Sequence, residues 1–115
     1  MTAKEVRNRL GAPSLDTFSN GARNYVYRGR ALVISLVRSR VVIVSTRSRR
    51  ERTAGGIGVG SKDSDVRRRL PRARCGATAG VQYCRVGSIR PGRRSTTFQI
   101  QQGRVVTVTV ARGLP

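Results

Sequence analysis

The sequence predicts an α+β fold: two αβββ repeats whose short helices pack on one face of a continuous antiparallel sheet. Three observations point there. The chain repeats itself: Glu5-Val6-Arg7-Asn8-Arg9-Leu10 returns as Asp65-Val66-Arg67-Arg68-Arg69-Leu70. A valine-rich run closes each copy, Arg40-Val41-Val42-Ile43-Val44-Ser45 and Arg104-Val105-Val106-Thr107-Val108-Thr109. The apolar residues are mostly Val, Leu, Ile and Ala in short runs, the composition of strands. Reuse of one supersecondary unit is expected where a single unit cannot bury its own apolar face. At 115 residues the chain amounts to one domain. It divides into a first copy over 1–46, a basic linker over 47–56 and a second copy over 57–115.

Each copy opens on a short helix. Thr2 and Glu5 have capping-box spacing, Val6 and Leu10 fall on one helical face, and Gly11 and Pro13 stop the helix. In the second copy Ser61 is the expected N-cap. Asp63 and Asp65 stand in the first turn, where the helix dipole favours negative charge. Val66 and Leu70 repeat the apolar face and Pro71 ends it. The span Ser14–Arg23 reads as a loop. Strands are expected at 24–28, 31–37 and 40–46, then at 81–86, 95–101 and 104–110.

The final hairpin suggests its own register. A three-residue loop at Gln101-Gln102-Gly103 puts Phe98, Ile100, Val106, Val108 and Val110 inward, and Thr97, Gln99, Gln101, Val105, Thr107 and Thr109 outward. The same register in the first copy sends Leu32, Ile34, Leu36, Val42 and Val44 inward. If Val26 also points inward, Tyr25 and Tyr27 join the outward face. An open face with tyrosines and arginines around it is a partner surface or a strand buried on both sides. The candidate binding residues are therefore Tyr25, Tyr27, Thr97, Gln99, Gln101 and Thr107.

Charge is the extreme feature. There are 24 Lys plus Arg against five Asp plus Glu, a net +19, and every basic residue but Lys4 and Lys62 is arginine. Such a field attracts acidic proteins, anionic envelope polymers or nucleic acid; an arginine bias of a GC-rich genome accounts for it equally well. The densest runs, Arg47–Arg52 and Arg67–Arg74, have no interleaved aromatics to stack on bases. The two cysteines, Cys75 and Cys84, read as a local disulfide formed in an oxidising compartment, or as two unrelated buried thiols. No signal peptide is present and no apolar run approaches the ~20 residues of a membrane span. The glycine lead-in before Ser61 has no counterpart before Met1, which suggests that the true N-terminus lies upstream.

Catalytic chemistry has little to build on. There is no histidine, so the commonest general base and zinc ligand are missing. Glu51 sits among arginines and Asp16 is alone in its loop. No metal site and no cofactor are expected. The run Gly55–Lys62 imitates a phosphate loop, but Ser61 and Lys62 are transposed relative to the G-K-[ST] order that lets the lysine reach phosphate.

The helix pattern V-x-x-x-L-G-x-P, the aromatic strand Tyr25-Val26-Tyr27 and hairpins ending in Ser/Gly-Arg-Val with alternating valines resemble the BamE (SmpA/OmlA) and β-lactamase-inhibitor-protein type of domain. The resemblance implies tandem repeats with one continuous sheet, and disulfides between helix and sheet, where Cys75 and Cys84 fall. It also implies a non-catalytic protein-binding role in a secreted or cell-envelope setting. The chain departs from that group in lacking a lipoprotein cysteine and in its +19 charge, and no inhibitory residue carries over. Nucleic-acid binding through arginine-phosphate contacts is the alternative.

Overall fold

In the computed structural model, which describes residues 1–53 and 55–113, one antiparallel sheet of eight strands runs through the whole molecule. The helix α1 (Ala3–Leu10) precedes β1 (Leu15–Ser19), β2 (Ala22–Tyr27), β3 (Leu32–Val37) and β4 (Arg40–Thr46). The helix α2 (Asp63–Arg69) precedes β5 (Arg74–Thr78), β6 (Val81–Gly87), β7 (Arg94–Gln101) and β8 (Arg104–Arg112). The strand order is β1-β2-β3-β4-β8-β7-β6-β5, so β4 and β8 meet in the middle and β1 and β5 form the edges. The expected α+β class of two αβββ repeats is therefore corrected: the protein is mainly β, with helices of only eight and seven residues and four strands after each. Ala54, in the expected linker, and the last two residues of the span 57–115 lie outside the described residues.

The extra strands come from the segments read as loop or left unassigned. β1 is exposed along its whole length and β5 almost so, so neither carries the in-out alternation that marks a strand in sequence. Their hairpins are closed by Asn20-Gly21 and Ala79-Gly80, with positive φ at both central residues. That is the type I′ geometry whose twist matches the flanking strands.

The β7–β8 hairpin corrects the expected register. Its loop has two residues, Gln102-Gly103, again both at positive φ, and Gln101 pairs with Arg104. A bulge then skips Val106, so Ile100 faces Val105, Gln99 faces Thr107 and Phe98 faces Val108. The extra residue restores valines to the apolar side after the turn would have set them against glutamines. Val105, at 1% exposure, is the inward valine, and Val106 is not. The β3–β4 hairpin behaves alike: Leu36 faces Val41, and Ile43, not Val42, pairs with Ser35.

That hairpin turns through Arg38-Ser39, at φ 52° and 63°. Non-glycine residues pay about 1–2 kcal/mol in the left-handed region, against about 0.5–1 kcal/mol for the freedom a glycine loses on folding. Ser39→Gly is expected to raise stability by roughly 0.5–1 kcal/mol, read as a higher urea midpoint at unchanged slope. The backbone bond from Ala3 N–H to the Ser39 carbonyl survives the change.

Both helices cover the same sheet face. Val6, completely buried, packs on Tyr25, Tyr27, Ile34 and Leu36. Val66, equally buried, packs on Cys84, Phe98, Ile100, Val105 and Val108. Thr2 caps α1 by accepting from Glu5 N–H at 3.3 Å, while its hydroxyl lies 3.1 Å from Glu5 Oε1. These contacts hold the Glu5 carboxyl below the ordinary carboxylate range. The expected Ser61 cap does not form: Lys62 holds the cap position without a side-chain bond, and Ser61 Oγ accepts from Gly58 N–H at 3.1 Å.

The glycine lead-in is core, not a flexible approach to α2. Ile57 and Val59 are buried against α2 and β8. A Cβ on Gly58 would strike the Glu51 carbonyl and the Arg52 side chain. Three of the glycine N–H groups that a phosphate loop would offer are already used: Gly56 donates to Thr53 O, Gly58 to Ser61 Oγ and Gly60 to Val105 O. The phosphate-loop likeness is one of letters only.

Candidate functional site

The sheet face away from the helices is uncovered, and the residues along it follow from strand alternation. Thr97, Gln99, Thr107 and Thr109 occupy it on β7 and β8. Ser45, Ser35 and Asn24 continue it across β4, β3 and β2, with Val26, Val33 and Ile43 between them. An open groove of about 620 Å³ crosses its middle, lined by Val26, Val33, Ser45, Gln99, Thr107 and Thr109, with Arg28, Arg47 and Thr46 among its other walls.

Short polar contacts fix the groove floor. The Ser45 and Thr109 hydroxyls lie 2.9 Å apart across the β4–β8 seam. Ser35 Oγ donates to Asn24 Oδ1 at 2.7 Å. Farther along, Arg85 Nε donates to Thr97 Oγ1 at 3.2 Å and its guanidinium stacks 5.1 Å over the Tyr83 ring. A Cβ on Gly76 would sit 3.2 Å from the Tyr83 hydroxyl, so glycine there leaves room for the ring to lie over β5. The result is a face with an apolar strip, a floor of hydroxyls and amides, and cations at its rim.

Four of the six residues expected to form a binding surface stand on this face: Thr97, Gln99, Gln101 and Thr107. Of these, Gln99 and Thr107 line the groove, whereas Thr97 and Gln101, the latter at the β7–β8 turn, lie outside it. Tyr25 and Tyr27 do not join them. Val26 points outward and lines the groove, which turns its two neighbours inward onto α1, at 3% and 5% exposure. Their rings pack into the core beneath α1, although Tyr27 still borders the groove and Tyr25 a smaller depression beside Phe18 and Arg23. Tyr27 Oη donates to the Gly11 carbonyl at 3.0 Å, tying β2 to the end of α1. Arg7 Nε donates to Tyr25 Oη at 3.3 Å, and its Nη2 pairs with Asp16 at 3.1 Å, where Arg23 also binds.

Burial holds the Tyr27 phenol above the usual tyrosine range, partly offset by the Arg7 charge. A phenol whose folded pKa exceeds its unfolded value contributes stability below the unfolded pKa and loses it as pH rises through the folded one. The wild type is therefore expected to lose melting temperature above about pH 10 more steeply than Tyr27→Phe. At pH 8 the variant is the less stable of the two, because it leaves the Gly11 carbonyl unpaired at a cost of about 1 kcal/mol. Paired melts from pH 8 to 11 read both effects.

Cys75 and Cys84 form a disulfide, so the reading of two unrelated thiols falls away. They are direct partners in the β5–β6 ladder. No cluster of metal-ligating side chains occurs among the described residues. No helix among them is long and apolar enough to cross a membrane.

Sequence reasoning placed Val33 on the outward face but missed Val26, Ser45, Arg28 and Arg47 as groove residues. The groove lies where β2 and β3 approach the β4–β8 seam, and neither that seam nor the pairing of the two halves has any signature in the strand pattern.

No family profile and no curated protein matches the sequence. Among solved structures, the fold is similar to that of an extracellular protein containing an SCP domain from Bacillus anthracis, with a TM-score of 0.74 and 13% identity over 96% of this chain and 43% of that one. A cysteine-rich secretory protein from Staphylococcus aureus is similar at a TM-score of 0.66 and 14% identity, over 96% of this chain and 43% of that one. A DUF4309 family protein from Bacillus subtilis is similar at a TM-score of 0.58 and 14% identity, over 96% of this chain and 78% of that one. The chain thus spans less than half the length of the first two. These neighbours overturn the likeness to BamE and the β-lactamase inhibitor proteins, which rested on a short amphipathic helix and alternating valines that any helix-covered hairpin shares. What the chain is similar to, in fold, is part of an SCP-domain protein and most of a DUF4309 protein.

Proposed function

We propose that the protein is a non-catalytic binding module of the extracellular space or cell envelope, which takes an acidic protein partner across the groove of its open sheet face. The observation that carries the reading is the contrast between the two sides of the sheet. One side is covered by α1, α2 and the Ile57–Val59 segment; the other keeps an apolar strip of Val26 and Val33 beside hydroxyls, amides, Arg28 and Arg47. A mixed floor with arginine at the rim is the composition of a protein interface, and the positive field steers an acidic partner to it. The Cys75–Cys84 disulfide and the extracellular fold neighbours support the compartment.

The test is capture from native envelope extract and culture medium, with competing DNA present and salt raised in steps. The double variant Gln99→Trp/Thr107→Arg fills the groove without touching the core and serves as the control. One acidic protein held by the wild type at moderate salt, and at least tenfold less by the variant, is the expected result. Equal capture by both proteins would overturn the groove as the site. Capture abolished by DNA alone would move the reading to phosphate contacts.

A further inference from the structure

At the far end of the same open face, a second site that shares no lining residue with the groove has a different chemistry. Where β6 ends and β7 begins, the loop between them meets the outer ends of β5 and β6. Two adjoining depressions there share Gly87, Ser88 and Arg90. Five arginines line them: Arg74, Arg85 and Arg90 in one, with Arg93 and Arg94 joining Arg90 in the other. Among the described residues no carboxylate lines either depression, and the ion pairs engage Arg7, Arg23 and Arg68 instead.

The loop is held in shape by backbone bonds. Arg93 N–H donates to the Arg90 carbonyl around Pro91-Gly92, with Gly92 at φ 75°, the position where a type II turn requires glycine. Gly92 donates to Gly113 O, Gly113 to Arg93 O and Ser88 to Arg94 O. Gly87 lies at φ 91°, and a Cβ there would strike the Arg94 carbonyl. The guanidinium of Arg85 is held by Thr97 and Tyr83. Like charges are thus brought together on a constrained frame with no carboxylate counterion among the described residues.

We propose that this corner is a binding site for a linear phosphodiester chain, which it reads through its phosphates alone. Guanidinium forks match phosphate oxygens two at a time, and several in a row match a repeating anion better than an isolated one. The one aromatic ring among the described residues that line the site, Tyr83, is already stacked under Arg85 of β6 and packed over Gly76. No free ring is present to stack on a base, so the site does not distinguish a nucleic acid from a base-free polyol or sugar phosphodiester.

The experiment compares the wild type with Arg90→Ala/Arg93→Ala/Arg94→Ala and with a charge-matched control, Arg49→Ala/Arg50→Ala/Arg67→Ala, whose side chains lie elsewhere. Three probes are titrated: inorganic phosphate, an abasic deoxyribose-phosphate chain, and single-stranded DNA of the same length. The abasic chain and the DNA are expected to bind within about threefold of each other, and inorganic phosphate far more weakly. The site variant should lose at least tenfold more affinity than the control. Its slope of log affinity against log salt should also fall by about 2, as for three lost contacts on a single strand. Equal loss in both triple variants would overturn the site, since the overall +19 charge would then suffice. DNA binding far tighter than the abasic chain would overturn the phosphate-only readout. Unchanged melting temperatures verify that each variant is folded.

Discussion

Phe98→Ala is expected to cost about 3–5 kcal/mol, the usual penalty for emptying a buried aromatic site. Phe98 is 1% exposed in the middle of β7, with Cys84 opposite it on β6 and Val108 opposite it on β8. Val66 of α2 and the Ile57–Val59 segment close the core over these strands. The disulfide and the ladder hydrogen bonds hold the neighbours in place, so the cavity cannot collapse and the loss falls toward the upper end. A domain of this size has about 5–15 kcal/mol in total, so chemical denaturation should show a much lower midpoint, and expression at 37 °C should suffer. Phe18 provides the contrast. It is 67% exposed on the edge strand β1, and its ring has Arg23 at 6.0 Å. Phe18→Ala should change stability by less than about 0.5 kcal/mol.

The two cores are not equally closed. Val105 and Val108 are 1% and 5% exposed beneath the Ile57–Val59 segment. Val41 and Val44, which hold the matching places beside α1, are only partly buried. Helix α1 is nevertheless anchored as α2 is: Ala3 N–H bonds to Ser39 O, and Val41 N–H to Met1 O, as Asp63 does to Gly103 and Val105 to Ser61. The stability of the molecule therefore leans toward the half that contains Phe98.

What could be read from the sequence was local and apolar. Val6/Leu10, Val66/Leu70, the Thr2–Glu5 cap and six of the eight strands, β2, β3, β4, β6, β7 and β8, could be read from their β-branched, aromatic or alternating runs. β1 and β5 could not, because an exposed edge strand has no buried side to impose such a run; only Asn20-Gly21 and Ala79-Gly80 marked their hairpins. The bulge at Val106 was hidden because valine suits either face. That one residue decides whether Val105 or Val106 enters the core. Tyr25 and Tyr27 were misassigned for the same reason: Val26 between them is as content on one side as on the other, and the choice was made by Val6 and the Gly11 carbonyl, twelve or more residues away. The groove depends on β4 meeting β8, a pairing between halves that no local pattern encodes. The arginine corner was invisible because its members are spread from Arg74 to Arg94 and converge only when β5, β6 and β7 are laid side by side.

Reduction of the Cys75–Cys84 bond is expected to lower stability by about 2–3 kcal/mol, the loop-closure value for a ring of roughly ten residues. For a domain of this size that is roughly 10–15 °C in melting temperature. The effect should be uneven across the molecule. β5 is an edge strand whose one ladder partner is β6, and apart from Cys75 its side chains are exposed. Cys84, by contrast, is completely buried against Phe98. Once the bond is cut, β5 keeps only its ladder to β6 and the modest burial of Cys75, so it should open locally well below the global unfolding free energy. Hydrogen exchange should then speed up in Arg74–Thr78 and in the β6 amides that face it, while β3, β4, β7 and β8 stay protected. Tyr83 lies over Gly76 of that strand and under Arg85, so its fluorescence should change with the same opening. Uniform loss of protection through all eight strands would instead make the disulfide a determinant of the whole fold, and Cys75→Ala/Cys84→Ala would then fail to fold at 37 °C. The localised outcome is the one the topology favours, because the central pair β4–β8 and its hydroxyl seam are reached by no contact that depends on β5.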